Sequence, residues 1–235
     1  MIAMRRARLV VVKPEIVQFF EQYEQKVFTL VQLDNVLTEQ RDVWQLPKST
    51  TVSKFINFLL EEVDFKKQEF KFSSRTIVRY SWGEPKLYEI AMSLIRTAYL
   101  SHYSATYFHQ LVPQNEMMNV YLNDEQTPKP KSKVQLVQER IDVAFKGPAR
   151  VTNNQARWKD ITFYLLSGKN TEMLGVIEVK VPDISVPIRV TSIERTLIDI
   201  TVRPTYAGGV HAVLEAYRRA HGKVSAKKWP VCSRS

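Results

Sequence analysis

Residues Thr50 to Trp82 read TTVSKFINFLLEEVDFKKQEFKFSSRTIVRYSW, and the period of the apolar positions changes within this stretch. Val52, Phe55, Ile56, Leu59 and Val63 recur at helical spacing and fall on one face, with Thr50 or Thr51 placed to cap the helix. From Phe70 the period shortens to two. Phe70 and Phe72 flank Lys71, and Thr76, Val78, Tyr80 and Trp82 alternate with Arg75, Ile77, Arg79 and Ser81. Ser73-Ser74 separates the two runs as a turn. The stretch predicts a helix followed by a hairpin.

Upstream, two further apolar stripes predict two more helices. Pro14 suits a first helical position, and Ile16, Phe19, Phe20 and Tyr23 follow it at helical spacing. Leu30, Leu33, Val36 and Leu37 form the second stripe. Three helices and a two-stranded hairpin are the order of a winged helix-turn-helix, expected here over residues 1–84. In such a domain the third helix enters the major groove, where base edges present a full donor and acceptor code. With the apolar face committed to a core, Thr50, Thr51, Ser53, Lys54 and Asn57 are left to face outward. Lysine suits phosphate or guanine, asparagine suits adenine, and hydroxyls suit phosphate. The hairpin adds Lys66, Lys67, Lys71, Arg75 and Arg79 as cations for the DNA backbone. Glu61, Glu62 and Asp64 require such a helix to enter by its N-terminal end. The same pattern is compatible with the solvated faces of a helical protein-binding module.

The second half is mixed. Trp82-Gly83-Glu84-Pro85 marks a boundary, and Thr127 to Lys133, with its alternating Pro and Lys, reads as an exposed loop. Helices are expected at 88–94, from Ser101 to Leu111, at 136–145, from Ser192 onward, and at 210–221 with Gly222 as the stop. A strand is expected at 119–122. Two more, at 161–166 and 174–181, are expected to form a hairpin through Gly168-Lys169-Asn170. The expected class is α+β, with an N-terminal domain at 1–84 and a mixed α/β domain at 85–235.

Charge and composition narrow the function. The chain has 34 Lys and Arg against 24 Asp and Glu, a net charge of +10 that favours polyanionic partners. Residues 1–99 carry 15 basic and 12 acidic side chains (net +3), and residues 100–235 carry 19 and 12 (net +7). The larger part of the excess therefore lies in the second half, which is open to DNA or acidic contacts of its own. Cys232 is the single cysteine, so no intramolecular disulfide and no cysteine-based zinc site is expected. His102 and His109 lie seven apart with no third ligand in view, and no metal or cofactor is expected. Leu9 to Val12 is far shorter than the roughly 20 residues of a membrane span. It follows Arg5, Arg6 and Arg8 without a small-residue cleavage site, so a cytoplasmic protein with no membrane partner is expected.

Tyr99-Leu100-Ser101-His102-Tyr103-Ser104-Ala105 resembles the segment that opens the antitoxin domain of AbiEi-type regulators. Val190 to Asp199, with Ser192, Arg195, Thr196 and Asp199, resembles that domain's signature. Arg203 to Gly209 and the Leu214-Glu215-Ala216-Tyr217 segment are similar to the same family, over roughly residues 14 to 222. The resemblance implies a repressor of its own operon that binds inverted repeats in promoter DNA through the N-terminal domain. It implies a C-terminal domain that antagonises a nucleotidyltransferase-like toxin in a type IV system, without requiring a stable complex. Lys227 to Ser235 departs from the family, in which further helical sequence follows; truncation or frameshift would each produce that ending. Independently of the family, Arg195 and Asp199 are four apart and can pair along one helix.

The enzyme alternative rests on Asp160, followed by Glu178-Val179-Lys180. That spacing resembles PD-(D/E)xK nucleases, in which two carboxylates hold a divalent metal and a lysine positions the attacking water. An exposed charge pattern on a hairpin accounts for the same residues, and no second motif supports the nuclease. The expectation is a non-enzyme.

Overall fold

The computed structural model describes residues 8–115, 117–128, 137–139, 142 and 151–224. The helix expected at 136–145 falls mostly outside them, as do Arg5, Arg6, most of the Pro-Lys run and the ending Lys227 to Ser235. The chain is of mixed α+β class and divides into two compact units. The first comprises residues up to Lys71, Arg75–Arg96 and Lys180–Pro187; the second comprises Phe72–Ser74, Thr97–Val179 and the residues from Ile188.

In the first unit α1 (Arg8–Val11) and α2 (Lys13–Gln22), with Pro14 in the first turn of α2, lead to the two-residue strand β1 (Val27–Phe28). α3 (Leu30–Gln40) begins at a capping box: Thr29 accepts from the Gln32 backbone, and the Gln32 side chain accepts from the Thr29 N–H at 2.8 Å. α4 (Val52–Glu62) is capped by Thr51. The hairpin β2 (Phe65–Lys71) and β3 (Thr76–Trp82) is antiparallel, with Lys71 opposite Thr76 across the turn. β1 pairs with the far side of β3, giving the order β1-β3-β2. Ile16, Phe20, Phe28, Leu33, Leu37, Trp44, Phe55 and Leu59 are buried together. Phe20 meets Phe65 edge to face at 4.7 Å between centroids, a geometry favoured by the ring quadrupoles. Phe58 is buried too, beyond the stripe that helical spacing picks out.

The first unit extends past the expected boundary at Glu84 to Arg96, because α5 (Leu87–Leu94) belongs to it. The Gly-Pro signal marks a turn, with Gly83 at φ 60°, and not the edge of the domain. Glu89, itself buried, accepts the Lys86 N–H at 2.9 Å through one oxygen. Its other oxygen accepts the Ser185 hydroxyl at 2.7 Å, which fastens the 180–187 segment.

The second unit is built on a six-stranded mixed sheet of order β6-β7-β5-β4-β9-β8. The strands are β4 (Tyr99–Leu100), β5 (Asn119–Glu125), β6 (Gln155–Trp158), β7 (Ile161–Gly168), β8 (Val176–Val179) and β9 (Ile188–Thr191). α6 (His102–Phe108), α7 (Ile193–Val202), a 3-10 turn (Pro204–Ala207) and α8 (Val210–Ala220) accompany it. Gly208 and Gly209, at φ 88° and 95°, supply the left-handed turn into α8. Leu111, Leu197, Ile200, Ala207, Val213 and Ala216 form a core between these helices.

The hairpin expected between 161–166 and 174–181 does not form. β7 pairs in parallel with β5 and antiparallel with β6, while β8 pairs with β9. Alternating apolar residues identify both segments as strands, but their pairing is decided by distant partners.

Candidate nucleic-acid interface

Helix α4 separates its side chains cleanly. Phe55, Ile56, Phe58 and Leu59 are buried, while Thr51, Ser53, Lys54 and Asn57 are exposed near its N-terminus. Ser53 and Asn57 lie one turn apart, and Lys54 is three residues from Asn57, so the polar groups share one face. The Thr51 hydroxyl accepts the Lys54 N–H at 3.4 Å, and the Lys54 ammonium donates to the Ser49 carbonyl at 3.2 Å. Glu61 and Glu62 lie at the opposite end of α4, and Glu62 is paired with Lys13 at 3.2 Å. An anion approaching the N-terminus thus meets lysine, hydroxyls, an amide and the positive end of the helix dipole.

Thr50 does not join this face. It is 7% exposed, and its carbonyl accepts from Arg41. The turn before α4 folds it inward, so the cap is Thr51 alone.

The hairpin cations divide into three groups. Lys71 and Arg75 are exposed beside the turn. Lys66 and Lys67 are exposed but paired, with Glu84 and Glu69 respectively. These hydrogen-bonded carboxylates hold both ammonium groups above their ordinary pKa. Arg79 is not a wing cation. Its half-buried guanidinium donates to the carbonyls of Val78 at 2.6 Å and Leu94 at 2.9 Å, and to that of Ser93. It therefore closes the C-terminal end of α5, whose last carbonyls have no helical partner. Burial, then the neighbouring Arg75, pulls its pKa below the usual value.

In the second unit the signature residues occupy polar, largely buried positions. Ser192 caps α7, accepting the Arg195 N–H at 3.2 Å. Arg195 and Asp199 form the expected ion pair at 2.8 Å, with side chains 13% and 16% exposed. Burial raises the Asp199 carboxyl, and Arg195 offsets this only in part. Arg195 also donates to the Leu174 carbonyl at 2.6 Å and the Thr171 hydroxyl at 3.3 Å. Thr171 in turn donates through its N–H to Glu125 at 2.7 Å. Burial acts to raise the Glu125 carboxyl, but hydrogen bonds from the Thr171 hydroxyl and N–H, the Met173 N–H and Tyr99 hold it below its usual value. Tyr99, pushed up to about 12 by burial, accepts from Asn123 at 2.6 Å. Thr196 meets the Thr191 hydroxyl at 2.7 Å.

Ser101 is fully buried, with its hydroxyl 3.0 Å from His102 Nδ1. His102 packs edge-on against Tyr206, and burial, followed by repulsion from Arg203 and Arg195, lowers its pKa to about 4. His109 lies at the far end of α6, where Nε2 donates to the Thr191 carbonyl at 2.6 Å. These histidines are packing and hydrogen-bonding groups at opposite ends of one helix. Asn123, Glu125 and Thr171 join the Arg195 network without a sequence signal, since only the register of β4 with β5 brings the first two beside Tyr99.

Asp160, Glu178 and Lys180 do not form a constellation. Asp160 precedes β7 and pairs with Arg157 at 3.8 Å. β5, β4 and β9 stand between β7 and β8, a separation of four strand spacings or about 19 Å. Lys180 follows β8 and belongs to the first unit. Among the described residues no group of three or more His, Cys, Asp or Glu is arranged to hold a metal ion, and no helix is long and apolar enough to cross a membrane.

No family model matches the chain, and no curated protein matches it.

Proposed function

We propose that the protein is a cytoplasmic DNA-binding autorepressor whose first unit is a winged helix-turn-helix reading duplex DNA through α4. The observation that carries the proposal is the shared exposure of Thr51, Ser53, Lys54 and Asn57 on a helix whose opposite side is buried. The order α2, β1, α3, α4, β2, β3 supports the winged-helix reading, with β2 and β3 as the wing. Lys71 and Arg75 near its tip are free to follow the phosphate backbone.

For the second unit we propose the antitoxin half of a type IV toxin-antitoxin system, acting against a nucleotidyltransferase-like toxin. Support comes from the AbiEi-type resemblance, carried by Ser101, His102, Ser192, Arg195, Thr196 and Asp199. The nuclease alternative would need Asp160 beside Glu178, and four strand spacings lie between β7 and β8.

A gel shift on the chain's own upstream DNA, run with Mg²⁺ and with EDTA, tests the reading. The expected result is a discrete complex, preferred over random DNA and identical in both conditions. Metal-dependent loss of intact DNA, or equal affinity for random DNA, would contradict it.

A further inference from the structure

Before α4 the connection from α3 turns at Pro47 to Thr50, and the carbonyls of Pro47, Ser49 and Thr50 each accept from a side chain. Arg41, at the C-cap of α3, donates from Nη1 to the Pro47 carbonyl at 2.9 Å and from Nη2 to the Thr50 carbonyl at 3.1 Å. The Thr50 N–H closes on the Pro47 carbonyl at 2.9 Å. On the other side the turn is pegged into the core by Trp44 and Leu46. Thr50 directly precedes the capping residue Thr51, so whatever fixes the Thr50 carbonyl fixes the entry of α4. Among the described residues Arg41 is paired with no carboxylate, and its two hydrogen bonds both go to this turn.

The third carbonyl, that of Ser49, is held by Lys54. That single bond comes from an exposed ammonium on a flexible stem, whereas the Arg41 fork holds two carbonyls of the turn at once. We infer that Arg41 is the positioning residue of the DNA-reading helix: it sets sequence discrimination through the placement of α4, and not through its own charge. The inference rests on the DNA-binding reading above. A planar guanidinium spans two carbonyls at once, which a lysine ammonium on a flexible stem does not reproduce.

The test compares R41K and R41A with the wild type on labelled upstream duplex and on random duplex, with thermal unfolding recorded for each. The expected result is a loss of preference for upstream over random DNA of about tenfold in both variants. R41K should keep wild-type affinity for random DNA. In an N57A background R41A should add little, since both changes disable one unit. Wild-type discrimination in R41K would reassign Arg41 as a phosphate-contacting charge and overturn the inference, as would full additivity with N57A. Loss of the folded transition in R41K would make Arg41 a folding residue and overturn it equally. Failure of the wild-type protein to prefer its upstream DNA would instead remove the reading on which the inference stands.

Discussion

At the scale of single residues, placement in the tertiary structure decides what a charged or polar group can do. His102 is 8% exposed, and burial among Tyr206, Arg203 and Arg195 keeps its imidazole neutral in the fold down to about pH 4. In the unfolded chain the same ring takes up a proton near pH 6.5. Acid therefore favours the unfolded state: the contribution is fully present above pH 6.5 and is lost progressively as pH falls towards 4. The gap corresponds to about 3 kcal/mol. His109, also lowered by burial, acts in the same direction. Denaturant titrations between pH 7 and 4 should show this decline, and His102→Gln should shrink its slope. A slope unchanged in that variant would refute the assignment.

Between elements, what periodicity reveals and what it hides are easily separated. The apolar face of α4 and the alternation of β3 are local patterns, and both elements form where spacing puts them. β1 is two residues long, too short to carry a period, and it exists because β3 has a free side for Val27 and Phe28. The strands at 161–168 and 176–179 are legible as strands, yet their partners are not, since parallel pairing with β5 depends on residues some 40 positions away. Arg79 alternates like an exposed wing residue, but its target is the end of α5, which no spacing rule connects to it. Likewise Thr50 and Thr51 are interchangeable as caps in sequence, and only the Arg41-bound turn distinguishes them. The Arg195–Asp199 pair, by contrast, was legible because both partners lie on one helix. Arg79→Ala should accordingly act on stability. Removing three carbonyl partners should destabilise the first unit by about 2 kcal/mol, leaving the salt dependence of DNA binding unchanged. A flattened salt dependence with unaltered stability would restore Arg79 to the wing.

The whole molecule joins two units whose charge is unequal. The first unit holds the polar face of α4, while the larger basic excess, +7, lies in residues 100–235. On the proposed reading, affinity for DNA in general is assigned to the chain as a whole, and choice among sequences to a few side chains on α4. This division makes Asn57 the most direct probe, because its amide carries no charge and is free of the core. The decisive measurement is the affinity of wild type and Asn57→Ala for labelled upstream duplex and for random duplex at a fixed salt concentration. The variant should lose roughly tenfold or more on the upstream duplex, keep its affinity for random DNA, and unfold at the wild-type temperature. Equal affinities of the two proteins for the upstream duplex would contradict the claim that α4 reads DNA.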